Sequence, residues 1–334
     1  MKKLENILVP VDLSRMSIQG LETAKRLARS VRARVHVVHV SPPVERRVLL
    51  SAAIAWQETP TSLAKAVREG LLCELKDLAS KCALSSEDKT YVREGTPAFD
   101  VICRLAAEIP ADLLVVPTHA FKGVKRFFVG STAERLIQHS PCPILVDRKS
   151  VAQFPSNNSL PARQALRVDK ILVPVDFSDC SREGLRYAIK FAGKFAARIT
   201  VLHVLDLGYS DPKDMDVMEH LKGFAGASVR QALKDVRQQM RKFVKTVKFG
   251  RTKFKAEFVI GPPVRCISDF AFANDIDLII TSTHGLTGFK HVLIGSIAEH
   301  LVRHSRVPIL VVPSHPGVRA ATRQNNDEEL RPPR

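Results

Sequence analysis

Ile7-Leu8-Val9-Pro10-Val11-Asp12 and Ile171-Leu172-Val173-Pro174-Val175-Asp176 are the same six residues, repeated within one chain. The likeness extends outward. Residues 7–40 align without a gap on residues 171–204, with 17 of 34 positions identical, and both stretches close on His-Val (His39-Val40 and His203-Val204). A second block recurs late in each half. There Ala111-Asp112-Leu113-Leu114-Val115-Val116 matches Asn274-Asp275-Ile276-Asp277-Leu278-Ile279-Ile280 in kind, and Gly130-Ser131 matches Gly295-Ser296. The closing stretches, Cys142-Pro143-Ile144-Leu145-Val146 and Val307-Pro308-Ile309-Leu310-Val311-Val312, match too. Self-similarity of this extent marks a duplicated structural unit. A chain of 334 residues suits two domains, each able to bury its own core.

Short apolar, β-branched runs alternate with amphipathic segments in each copy. In the second, strands are predicted at 171–175, 199–204, 254–259, 277–282 and 308–312, with helices near 182–196, 216–246, 263–273 and 296–304. The first copy has matching strands near 6–11, 34–40, 89–92, 112–117 and 143–147. Strands apolar throughout are buried on both faces, so each copy is an α/β domain, a doubly wound five-stranded parallel sheet with helices on both faces. The expected organisation is a first domain over 1–148, a linker over 149–168, a second domain over 169–313 and a disordered tail over 314–334. The linker is rich in Pro, Ser and Asn, and the tail carries prolines and the run Asp327-Glu328-Glu329.

Composition excludes several classes. No apolar run reaches the ~20 residues of a membrane span, and the N-terminus lacks a signal-peptide core, so the cytoplasm is the expected location. The six cysteines show no Cys-x-x-Cys pair and no zinc spacing, so no metal site is expected and the thiols read as reduced and structural. A formal charge of +17 raises the question of nucleic acid. The densest basic stretch, Lys222 to Lys255, holds eleven Lys and Arg against one acid, Asp235. Within it Val229, Leu233, Val236, Met240, Phe243, Val244 and Val247 recur at helical spacing. A solvated helix face therefore accounts for the charge, and with no aromatic platform in view nucleic acid is disfavoured.

Open parallel sheets bind ligands beyond the carboxyl ends of their strands. Asp176 and Asp12 end the first strands, where a carboxylate suits a ribose hydroxyl or an adenine amine; forming the following turn is the equal alternative. Pro174 precedes Asp176 on that strand, and Val204 and Val40 end the second strands, where backbone groups can read an adenine edge. The loop after the fourth strand says more. It reads Thr281-Ser282-Thr283-His284-Gly285, nine residues, then Gly295-Ser296-Ile297 opening a helix. Glycines allow close backbone approach to phosphate, and a helix N-terminus attracts anions. The alternative is plain turn formation by Gly285 and Gly295, with Ser296 as helix cap. His119 and His284 lie in these loops with no nucleophile beside them, and read as loop-fixing residues.

The arrangement resembles the universal stress protein family, whose nucleotide-binding members carry Gly-x-x-Gly, nine residues, then Gly-Ser or Gly-Thr. The likeness runs almost end to end through both copies. It implies an adenine nucleotide alpha hydrolase-like fold, with ATP or AMP, Mg²⁺ as a companion, as ligand. The implied nucleotide-binding residues are Pro174, Asp176, Val204, Thr281, Ser282, Gly285, Gly295, Ser296 and Ile297. Ser282 stands where the first glycine belongs. The first copy departs further: Pro117 and Ala120 replace both glycines, Phe121, Phe127 and Phe128 crowd the loop, and Asp12, Val40, Gly130 and Ser131 remain as a degenerate site. The second copy is therefore the expected binding site. The resemblance also implies that the two copies pair through their last strands, Ile144-Leu145-Val146 against Ile309-Leu310-Val311, with homodimerisation open. Solution scattering is expected to give a compact profile; an extended two-bead profile would contradict the pairing.

Three functions compete. The first is a stress-response regulator that binds ATP or AMP and acts through conformation or partners. The second is a slow ATPase, against which stands the absence of a Gly-x-x-x-x-Gly-Lys-Ser/Thr loop. The third is a nucleotide-free scaffold for a protein, lipid or polyanion.

Overall fold

The computed structural model describes residues 4–43, 52, 55, 59–82, 84–117, 130–147, 166–206, 227–283 and 295–314. The linker over 149–165, the tail from 315, the first residues (216–226) of the long helix expected in the second copy, and the loop residues His119, Ala120, Phe121, Phe127, Phe128, His284 and Gly285 lie outside the described residues. The described chain forms two units, the first ending at Leu166 and the second running Arg167–Ser314.

The first unit runs β1 (Asn6–Val11), α1 (Arg15–Val31), β2 (Arg34–Ser41), α2 (Pro60–Lys81), β3 (Lys89–Glu94), α3 (Ala98–Glu108), β4 (Leu113–Pro117), α4 (Ser131–His139) and β5 (Ile144–Asp147). The second runs β6 (Lys170–Pro174), α5 (Asp179–Phe195), β7 (Arg198–Leu205), α6 (Ala227–Lys245), β8 (Phe254–Ile260), α7 (Pro263–Ala273), β9 (Leu278–Ser282), α8 (Ser296–His304) and β10 (Ile309–Val312). Within the units the strand orders are β3-β2-β1-β4-β5 and β8-β7-β6-β9-β10, every neighbouring pair parallel. The predicted α/β class and five-stranded parallel sheets are what the molecule has. The chain reverses its direction across the sheet after β3 and again after β8, and crossovers of the usual right hand then put helices on both faces.

Burial explains the unbroken apolar strands: Ile7, Leu8, Val9, Ile171, Leu172 and Val173 are buried. The duplication persists in backbone detail. Asp112 accepts the N–H groups of Glu5 and Asn6, as Asp277 accepts those of Asp169 and Lys170, stapling the amino ends of β1 and β6 to the strands beside them. Leu13 and Phe177 both take left-handed backbone at the strand-to-helix turn (φ 62° and 67°). One element starts earlier than expected: α5 begins at Asp179 because the Ser178 hydroxyl caps it, accepting the Ser181 N–H at 3.0 Å.

A buried ion pair sets the first unit apart from the second. In the first, Lys25 Nζ meets Asp88 Oδ2 at 2.5 Å, both side chains nearly sealed from solvent. Asp88 also accepts the backbone N–H groups of Val35 and Ser85 and the Ser85 hydroxyl. Burial alone raises that carboxyl's pKa, but these donors outweigh it and hold the group below its ordinary range. At the matching place of α5 the second unit carries Ile189.

The thiols are all free. Burial pushes Cys82 up to about 11 and Cys103 up to about 12, so both stay protonated and unreactive near neutral pH. No helix among the described residues is long and apolar enough to cross a membrane.

Candidate functional site

In each unit the strand order reverses at the first strand, whose neighbours (β2 and β4, or β7 and β9) are reached by crossovers running in opposite directions. The crevice this opens lies at the carboxyl ends of the strands. Asp12 and Asp176 stand at its edge, and the structure realises the turn-forming alternative for both. Asp12 Oδ1 accepts the Ser14 N–H at 3.0 Å and the Ser17 hydroxyl, while Asp176 Oδ1 accepts the Ser178 N–H at 3.1 Å. The turn does not remove the Asp12 carboxylate from the crevice, since Asp12 lines the cleft described below. The Ser17 hydroxyl holds Asp12 in addition, whereas its counterpart Ser181 turns to the Ser178 carbonyl instead.

Val40 and Val204 are half-buried near the ends of β2 and β7. The histidine before each ties the second strand to the first. His39 Nδ1 lies 3.0 Å from the Val11 carbonyl and His203 Nδ1 2.8 Å from the Val175 carbonyl. A carbonyl only accepts, so Nδ1 carries the proton in both. Burial lowers the His203 pKa despite that bond and nearby Asp176, favouring the neutral ring. Phe177 stacks on His203 at 4.2 Å. In sequence both histidines belong to the His-Val pair that closes each repeat, and their recurrence 28 residues after the accepting valine is the signal for this tie.

The structure does not realise the capping alternative for the serines. Gly130 and Gly295 are the N-caps of α4 and α8, without a side-chain cap bond; Ser131 and Ser296 are first helical residues and exposed. A glycine cap has no oxygen to offer, so the first-turn N–H donors keep the positive end of the helix dipole available to an external anion. Gly295 is held to the end of β9 by its N–H to the Thr283 carbonyl at 2.6 Å. Thr281, Ser282 and Thr283 are buried at the end of β9. Pro174 is half-buried at the end of β6, and Ile297 is exposed beside Ser296.

In the first unit the four remaining site residues, Asp12, Val40, Gly130 and Ser131, line a single cleft of about 340 Å³. Its volume falls within the ~300–1,000 Å³ range of small-molecule sites. Ser17, Ala98, Ile102 and Pro117 are among the other residues of its wall. Sequence reading missed Ser17, Ala98 and Ile102, which reach the cleft from helices and carry no motif of their own. Pro117 contributes a ring and no N–H, so it offers a phosphate nothing. Among the described residues, no three His, Cys, Asp or Glu side chains cluster to hold a metal.

The family model described as the universal stress protein family matches residues 3–148 and 167–313. A universal stress protein of Methanocaldococcus jannaschii is 31% identical over 147 residues, covering 43% of this chain and 81% of that protein. A second from the same organism is 30% identical over 153 residues, covering 43% of this chain and 93% of its own length. The crystal structure of a universal stress protein from Archaeoglobus fulgidus superposes with a TM-score of 0.57 at 18% identity, covering 94% of this chain and all of that one. At that identity the superposition speaks for the fold.

Proposed function

This chain belongs to the universal stress protein family through both of its halves, and from that premise we propose that it is a stress-response regulator binding ATP or AMP, mainly in the second unit. The observation that carries this reading is the cleft of the first unit, where turn-held Asp12, Val40 near a strand end and the Gly130-Ser131 helix start meet. The second unit repeats a turn-held aspartate and a Gly-Ser helix start without a side-chain cap bond. The helix start suits phosphate, the aspartate suits ribose or adenine donors, and the valines supply apolar cover. The second unit is preferred because its loop keeps Gly285 and Gly295 and carries Ser282 where the first has Pro117. Mg²⁺ in this reading rides on the triphosphate. The site supplies binding and orientation, and its output is conformational.

ATP and AMP at millimolar concentration are expected to raise the melting temperature by mass action. Ser296→Glu places a carboxylate among the first-turn N–H groups. A carboxylate there favours the helix itself, so the fold persists, while it repels phosphate. Nucleotide affinity should fall more than tenfold in calorimetry, and Ser131→Glu should change it little. A larger loss in Ser131→Glu would move the site to the first unit, and no thermal shift in the native chain would end the proposal. Repeating the titration in EDTA separates ATP from its Mg²⁺ complex.

A further inference from the structure

The strongest unassigned feature lies at the other ends of the strands in the second unit. A groove of about 370 Å³ opens there at the amino ends of β6, β7 and β8, lined by Lys170, Arg198, Lys253, Phe254 and Lys255 with Ile276. Phe254 is 44% exposed and stacks on Phe249, with ring centroids 3.6 Å apart and planes within 12°. The basic stretch thus has an aromatic platform that helical periodicity did not reveal. Val236, Met240 and Phe243 do bury the inner face of α6, as expected. Beyond α6 the chain turns, and the rings of Phe249 and Phe254 are brought face to face among cations.

Charge at this end is one-sided. Between Asp235 and Glu257 there are eight Lys and Arg and no carboxylate. Lys170 has Asp275 at 3.6 Å and Lys255 has Glu257 at 3.5 Å. Asp169 is engaged by Arg167, and buried Asp277 is taken up by the backbone N–H groups of Asp169 and Lys170. No carboxylate among the described residues pairs with Arg198 or Lys253. The first unit shows that the fold does not demand this arrangement. Strand register pairs His36 with Lys89 and Thr200 with Lys255, so Lys253 and Phe254 occupy the places of Glu87 and Asp88. There the first unit holds an acid neutralised by Lys25, where the second exposes a ring between two lysines.

We propose that this groove binds single-stranded nucleic acid, a base stacking on Phe254 while Arg198, Lys253 and Lys255 hold flanking phosphates. A flat exposed ring among lysines matches a chain of alternating bases and phosphates. A bare polyanion would have no use for the ring, and a duplex hides its base faces. The groove lies at the opposite strand ends from the nucleotide crevice, so the two ligands bind independently.

The test is fluorescence anisotropy of the full chain with a fluorescein-labelled oligothymidylate about 12 nucleotides long, at several salt concentrations. Binding should exceed that of a duplex of equal length and of polyphosphate of equal charge. Phe254→Ala should weaken it about tenfold or more. Phe254→Leu, which keeps an apolar side chain over Phe249, should weaken it similarly while preserving the melting temperature. Lys253→Glu should flatten the salt dependence by at least the ~0.7 expected for one lost phosphate contact. Lys76→Glu, the same charge change on exposed α2, should leave affinity nearly unchanged. Equal binding of polyphosphate or duplex, indifference to both Phe254 variants, competition by ATP, or no binding at low salt would each overturn the proposal.

Discussion

Asp88→Ala is expected to destabilise the protein by about 3–5 kcal/mol, the range for removing one partner of a buried ion pair. The substitution strands the Lys25 ammonium, whose side chain is only 11% exposed, and takes the acceptor from the Val35 and Ser85 N–H groups. Calorimetry of the full chain should show the transition of the first unit lowered by about 10 °C, given roughly 2–4 °C per kcal/mol for a domain of this size. The loss reflects an uncompensated charge more than a strong pair. Replacing both partners, Lys25→Met with Asp88→Leu, should therefore recover much of it. Isoleucine at the equivalent of Lys25 in the second unit shows that the fold accepts an apolar residue there. The same site predicts a pH dependence. Its carboxyl is depressed in the folded state, so its stabilisation is complete above the unfolded value near 3.9 and is lost as pH falls through the folded value. The stability gap between the native chain and Asp88→Asn should stay constant from pH 7 to about pH 4 and narrow below that. A gap that widens in acid would refute the assignment.

Gly20→Ala and Gly184→Ala should have opposite signs, although the two glycines occupy the same place in duplicated helices. A Cβ at Gly20 would lie 2.9 Å from three atoms of the Pro117 ring, closer than packed carbons tolerate. At Gly184 it would lie 3.5 Å from the Ser282 nitrogen, an ordinary contact. Alanine gains up to about 1 kcal/mol over glycine within a helix. Gly184→Ala should keep most of that gain. Gly20→Ala should lose it to overpacking and be destabilised by about 1–3 kcal/mol. The paired experiment is Pro117→Ser, which puts the second unit's residue into the first. If the ring is the obstacle, Gly20→Ala in the Pro117→Ser background should cost little, and a double-mutant cycle measures the coupling. Additive effects would mean that the conflict lies elsewhere.

Both predictions turn on positions where the copies have drifted apart, and these were the least legible in the sequence. The duplication, the strand positions and the α/β class could be read directly. A strand covered on both faces must be apolar at every position, and that pattern needs no knowledge of its neighbours. The aspartates, the valines and the Gly-Ser pairs could be placed at the carboxyl edge for the same reason, since element ends follow from element order. The start of α5 was read three residues late, because a cap is a hydrogen bond and leaves no periodicity.

Other features depended on which segments meet. Ser296 read as opening the helix, with capping as the alternative, and only the structure gave the cap to Gly295 and the first helical position to Ser296. Ser17, Ala98 and Ile102 joined the first unit's cleft from helices whose own patterns gave no hint of it. Phe249 and Phe254 were two aromatic residues in a basic stretch until a turn and the amino end of β8 stacked them. Lys25 and Asp88 are 63 residues apart, and nothing local distinguishes them from solvated charges. Local patterning by itself determined the repeated fold and which residues stand at the carboxyl ends of its strands, because periodicity and burial act within each element. Only the tertiary structure decided the buried pair, the cleft wall and the basic-aromatic groove, because each comes into being where residues distant in the chain are packed against one another.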